Sequence, residues 1–151
     1  FSPSPDLQTM LSGWYSNGTE VIFCCGGNMC QSAFEAAGAN DGKVIGVDVD
    51  QSSQNDTVIT SATKGLRESV MFALDKFYNG QFDTLGGVST VLGANNDAVG
   101  LPTATWGFKN YTVDDYNKLF ASIKDGSVKV DSDYTKLAEG AFANVNLTIV
   151  K

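Results

Sequence analysis

An α/β fold, built on a parallel sheet covered on both faces by helices, is predicted by three features of the sequence. Short apolar runs alternate with stretches of helical periodicity through the first half of the chain. The runs are continuous rather than alternating, as strands buried on both faces are. Turn residues bound each of them. With 151 residues the chain is long enough for one domain with a sizeable core.

The elements follow in order. Asp6 is placed to cap a helix whose buried stripe is Leu7, Met10, Leu11 and Trp14, ending near Gly18. Glu20–Cys25 reads as a buried strand. Asn28 can cap the next helix, with Ala33, Phe34 and Ala37 inward, and Gly38–Gly42 breaks it. Lys43–Val49 and Thr57–Ser61 are two further strands. Leu66–Asn79 is the clearest helix, with Leu66, Val70, Ala73, Leu74 and Phe77 at helical spacing and Asn79-Gly80 as its stop. The pattern then changes. Gly87–Leu92 and Ala98–Leu101 read as short strands joined by a hairpin turn at Gly93–Asp97. Thr112 caps a last helix, with Asp114 and Asp115 suiting its positive end and Tyr116, Leu119, Phe120 and Ile123 inward. Ser127–Val130 reads as a closing strand. The tail combines a short helix with a last strand at Val145–Val150.

Composition excludes some functions. The net charge of −7 argues against a nucleic-acid partner, which needs clustered Lys and Arg. No apolar run approaches the length of a membrane span. The first residue is Phe rather than Met, so a processed piece of a longer chain is expected. Histidine is absent, which removes the commonest general base. Cys24, Cys25 and Cys30 lie close together, but their spacing is not a usual metal pattern. They read as buried thiols on a core strand, or, in a sharper reading, as a Cys25–Cys30 disulfide with one thiol left over.

Ligands of parallel α/β sheets bind beyond the carboxyl ends of the strands. Gly26, Gly27, Asp48, Asp50 and Lys64 all stand at or just past such ends. Gly26-Gly27 before a helix lets a ligand approach backbone amides, or is a plain strand–helix turn; it is neither a dinucleotide fingerprint nor a P-loop. Asp48 and Asp50 leave one strand two residues apart. They can work as acid and base, bind a cation, or accept from ligand hydroxyls; otherwise they are a loop acid and a cap. Lys64 stands at a helix start, where a cation has no dipole advantage. Trp106 and Phe108 either stack on a base or sugar, or cover a sheet edge.

The segments GTEVIFCCGG, GKVIGVDVDQS, TVITSATKGLRESV and LGANNDAVGLP occur in this order between Gly13 and Pro102. As an ordered set they resemble the basic membrane protein family, the PnrA-like substrate-binding lipoproteins of ABC transporters. The resemblance implies the flavodoxin-like second lobe of a type I periplasmic-binding-protein fold, truncated at its start. It implies a central strand missing between Glu20–Cys25 and Lys43–Val49. It implies a ligand-binding domain at residues 1–103 and a crossover and return segment at residues 104–151 that packs on a first lobe. The family's ligand-facing acid falls on Asp48, its lysine on Lys64 and its glycine pair on Gly26 and Gly27. Where the family continues that pair with a small residue and another glycine, Asn28-Met29-Cys30 stands here.

The implied function is capture of a nucleoside, chiefly a purine one, without catalysis or cofactor, for hand-over to a permease. The implied place is the outer face of a bacterial membrane, held by a lipid anchor. Unpaired sheet edges suggest a homodimer. Two other classes stay open on the residues: a sensor domain reusing the fold, and a nucleoside- or sugar-metabolising enzyme using Asp48 and Asp50.

Overall fold

The computed structural model describes residues 1–131, 133, 135, 137–138 and 142–149. Helix α1 spans Pro5–Ser16. Its cap is Ser4, not Asp6: the Ser4 hydroxyl accepts from the Leu7 amide at 3.1 Å. Pro5 is already shaped for the first helical position, and this moves the start ahead of Asp6. Strand β1 (Val21–Phe23) follows, then helix α2 (Cys30–Ala39). Asn28 does not cap α2. It lies in a tight turn, Gly27–Met29, closed by the Met29 amide on the Gly26 carbonyl at 3.2 Å, so the helix begins beyond it.

Strands β2 (Lys43–Asp48) and β3 (Val58–Lys64) run parallel to β1 in the order β1-β2-β3. Helices α1 and α2 pack on each other and α2 on β2. The core is Leu11 and Tyr15 from α1, Ala33, Phe34 and Ala37 from α2, and Ile22, Val44 and Val58 from the strands. The alanines predicted to face inward do so, and their small size lets the two helices approach. Gly42 is required here, because a Cβ at that position would overlap the buried Tyr15 ring.

The expected gap between the first two strands is not present. Val21, Ile22 and Phe23 pair directly with Lys43, Val44 and Ile45. Parallel neighbours joined through one helix are the shortest closure open to this chain, and it leaves β1 as an outer edge. The sheet is mixed rather than all parallel. Strand β4 (Val99–Gly100) pairs antiparallel with β3, Thr63 opposite Gly100 and Lys64 opposite Val99. The Gly65 amide donates to the Ala98 carbonyl and Ala98 is buried, so this chain stretch is drawn to β3 and not to Gly87–Leu92. Gly87–Leu92 forms no strand, and Gly93–Asp97 holds a single tight turn at Ala94–Asn96 instead of a hairpin.

Helices α3 (Leu66–Tyr78) and α4 (Val113–Lys124) form where periodicity places them. Thr112 caps α4 as expected, accepting from the Asp115 amide at 3.1 Å. Helix α3 leaves most of its apolar stripe uncovered, whereas α4 half-buries Tyr116, Phe120 and Ile123 of its own. Leu66, Val70, Leu74 and Phe77 remain exposed on α3, as does Leu119 on α4. Periodicity identifies the apolar side of a helix but not whether a partner surface covers it. Ser127–Val130 forms no strand: the Ser127 amide is held by Asp125 and the Val128 amide by the Ser122 carbonyl, bonds that a ladder would need. Residues 145–149 form no strand, Val150 lies outside the described residues, and so does much of the expected tail helix. Among the described residues no helix is long and apolar enough to cross a membrane.

Candidate functional site

The predicted acid and lysine meet. Lys64 Nζ lies 2.6 Å from Asp48 Oδ1, joining the carboxyl ends of β2 and β3. Register explains the encounter, since Asp48 stands opposite Thr63 and Lys64 is next along the chain. The two side chains are partly exposed, at 64% for Lys64 and 39% for Asp48, while the contacting Oδ1 atom is itself covered. Such a pair contributes only about 0–1 kcal/mol to stability.

The Asp48 backbone is the less ordinary feature. Its φ is 70°, in the left-handed region, and the Val49 amide donates to the Val47 carbonyl at 2.8 Å. This is a γ-turn centred on Asp48 in its rarer, strained form. Gln51 holds the turn in place. The Val47 amide donates to Gln51 Oε1 at 2.9 Å, and the Gln51 amide donates to Ser61 Oγ at 3.0 Å. Gly46 leaves room for that arrangement, because a Cβ there would stand 2.6 Å from Gln51 Oε1 and from Ser61 Oγ. Sequence reading missed Gln51, although an amide residue directly after an Asp-x-Asp strand end was a usable signal.

Asp48 and Asp50 do not act as a pair. Asp50 Oδ2 accepts from the Thr105 hydroxyl at 2.6 Å, and Oδ1 accepts from the Ser52 amide at 3.0 Å. The Thr105 bond holds the Asp50 carboxyl below the usual carboxylate range. Asp50 thus ties the loop after β2 to the segment around Thr105.

The glycine pair divides its roles. Gly27 has φ 55° and nothing near its Cβ position, so it supplies the turn and leaves open space. Gly26 is buried under Met29, whose Cβ and Sδ would lie 3.1 and 3.2 Å from a Cβ there. No side chain caps the first amides of α2. Cys25 is exposed beside Asp48 and Lys64. Desolvation, then the neighbouring Cys30 and Asp48, push its thiol pKa up, while Lys64 opposes them.

Trp106 and Phe108 take the packing role. Their ring centroids lie 5.0 Å apart, Tyr111 and Tyr116 flank Trp106 at 6.0 and 5.6 Å, and the indole N–H donates to the Tyr111 carbonyl at 2.6 Å. Gly107 between them seats against the β3 backbone, where a Cβ would lie 2.5 Å from the Ile59 carbonyl oxygen. No group of three or more His, Cys, Asp or Glu able to hold a metal occurs among the described residues.

Comparison with known proteins adds the family. Residues 7–137 match the family described as ABC transporter substrate-binding protein PnrA-like. Basic membrane protein D of Borreliella burgdorferi (strain JD1) is 36% identical over 134 residues, which cover 83% of this chain and 38% of that protein. This chain therefore spans well under half the length of that relative. Among solved structures, ABC transporter system solute-binding proteins from Aeropyrum pernix K1 align over 86% of this chain and 45% of theirs, with a TM-score of 0.60 and 19% identity. A transcriptional activator of the comK gene from Bacillus halodurans aligns over 78% of this chain and 39% of its own, with a TM-score of 0.58 and 14% identity. At such identities the two structures bear on the fold alone.

Proposed function

This chain belongs to the PnrA-like family of ABC transporter substrate-binding proteins, and from that premise we propose that Asp48, Lys64, Gly26 and Gly27 form one wall of a nucleoside site. The observation that carries this reading is the strained turn at Asp48, held by Gln51, with its carboxylate against Lys64 at the strand ends. Backbone strain persists only where surrounding bonds enforce it, and it concentrates at ligand sites.

The chemistry favours an uncharged polyol over an ion. Asp48 and Lys64 already neutralise each other, so a net charge has little to gain. A carboxylate has lone pairs to spare and accepts from two adjacent hydroxyls, such as those of a ribose. An ammonium group has three protons, and one ion pair leaves donors for a ligand oxygen or ring nitrogen. Gly27, in the turn that leads into α2, leaves open space beside the pair.

In this proposal the chain is part of a two-lobed protein with the other wall elsewhere, residues 104–151 being the crossover and return segment. The whole protein would deliver its ligand to a membrane permease from an extracytoplasmic, lipid-anchored position. One wall leaves half of a ligand wet, so this chain alone should bind weakly. Calorimetry on the longer protein tests the reading. A purine nucleoside should bind, its 2′,3′-dideoxy form should bind at least about tenfold more weakly, and Asp48→Ala should lose a similar factor. Equal affinity for the two nucleosides, or in Asp48→Ala, would overturn it.

A further inference from the structure

Cys24 and Cys30 face each other across the Gly26-Gly27 turn. The Cys30 thiol donates to the Cys24 carbonyl at 3.2 Å, and Cys24 packs against the core cluster that contains Cys30. The turn enforces this approach. Gly27 supplies a positive φ, Met29 closes on Gly26, and α2 starts at Cys30 itself. Cys30 is fully buried, Cys24 half-buried and Cys25 exposed. Cys25, just past the end of β1, is the exposed thiol and lies beside Asp48 and Lys64 as well as Cys30.

From this arrangement we propose that Cys24 and Cys30 are an oxidisable pair that closes an intrachain disulfide, bolting the end of β1 to the start of α2 and leaving Cys25 as the free thiol. Neither the family nor the nucleoside reading bears on this proposal. The oxidant is a small-molecule disulfide such as oxidised glutathione. Cys24, the more accessible thiol, loses its proton and attacks one glutathione sulfur, expelling a glutathione thiolate. The Cys30 thiolate then attacks the Cys24 sulfur of the mixed disulfide and expels the second. Two protein thiols and one oxidised glutathione become one protein disulfide and two reduced glutathiones, which take up the two protons.

The rate should rise steeply with pH. Burial, then the adjoining Cys30, push the Cys24 thiol up to about 12. The titratable groups facing it are Cys30 from α2, Tyr15 from α1 and Cys25, next along the chain. None carries a positive charge, so nothing local generates the thiolate at neutral pH. The initial rate should grow about tenfold per pH unit through the mildly alkaline range.

The folded chain is treated with oxidised glutathione in alkaline buffer, its remaining thiols are alkylated, and the intact mass is read without reductant. One alkylated thiol, a loss of two hydrogens and no retained glutathione are expected, with the bridge mapped to Cys24–Cys30. The Cys25→Ser variant should still form the bridge and then show no alkylation. The Cys24→Ser variant should form none. Three alkylated thiols, a bridge containing Cys25, or glutathione retained on Cys24 would each overturn the proposal. If Cys30→Ser fails to fold, Cys24→Ser supplies the control on its own.

Discussion

Asp48 and Lys64 sit at the ends of adjacent strands with 2.6 Å between carboxylate and ammonium, and the aspartate reaches that position only through a backbone with φ 70°. Left-handed backbone is tolerated by Asp and Asn and disfavoured for a β-branched residue. Asp48→Gly should therefore leave stability unchanged or raise it slightly, while Asp48→Val should lower it by about 1–2 kcal/mol. Urea unfolding of the variants measures this. A stable Asp48→Val protein would mean the turn is not strained.

Tyr15 and Cys24 make stability depend on alkaline pH. Burial raises Tyr15 from its ordinary 10.0 to about 12, and raises Cys24 from 9.0 to about 12. Both are neutral below their ordinary values, and folding favours that neutral form. Their contribution is complete below about pH 9 and is lost as pH rises toward 12. Urea midpoints should fall through that window. Tyr15→Phe should flatten part of the slope while costing about 1 kcal/mol for the lost bond to the Lys43 carbonyl.

Gly107→Ala should loosen the segment carrying Trp106. The new methyl would meet the Ile59 backbone, which cannot move without disturbing β3. Overpacking of this kind costs about 1–3 kcal/mol. Trp106 fluorescence should shift to the red as the ring loses its cover, and a spectrum matching the parent would contradict the seating of Gly107 on β3.

Exposed apolar surface should make this chain associate. Leu66, Val70, Leu74 and Phe77 of α3 are all exposed, Phe77 at 58%, and Phe23 on the edge strand β1 is 51% exposed. Contiguous exposed apolar stripes mark contact surfaces. Light scattering across a concentration series should give a mass that rises above the monomer. Val70→Glu with Phe77→Lys should restore the monomer mass. A monomer at high concentration in the parent chain would refute a homodimer.

The helices and the first strands were legible in the sequence because their signals are local. Periodic apolar residues, the Thr112 cap and the Asn79-Gly80 stop act within one or two turns of the chain, and the structure forms α3 and α4 where they lie. The strand-end position of Gly26, Gly27, Asp48 and Lys64 was legible for the same reason, and the motif order pointed to the family. Tertiary structure decided the rest. That β1 pairs directly with β2, and that β3 takes Val99–Gly100 as an antiparallel neighbour, depends on which edges are free once the chain has collapsed. That α3 keeps its stripe in solvent depends on a partner surface no helical pattern reports. The separation of Asp48 from Asp50, one to Lys64 and the other to Thr105, follows from a γ-turn and from a residue more than fifty positions away. Spacing along a chain sets which residues share an element; bonds between distant elements set which of them share a site.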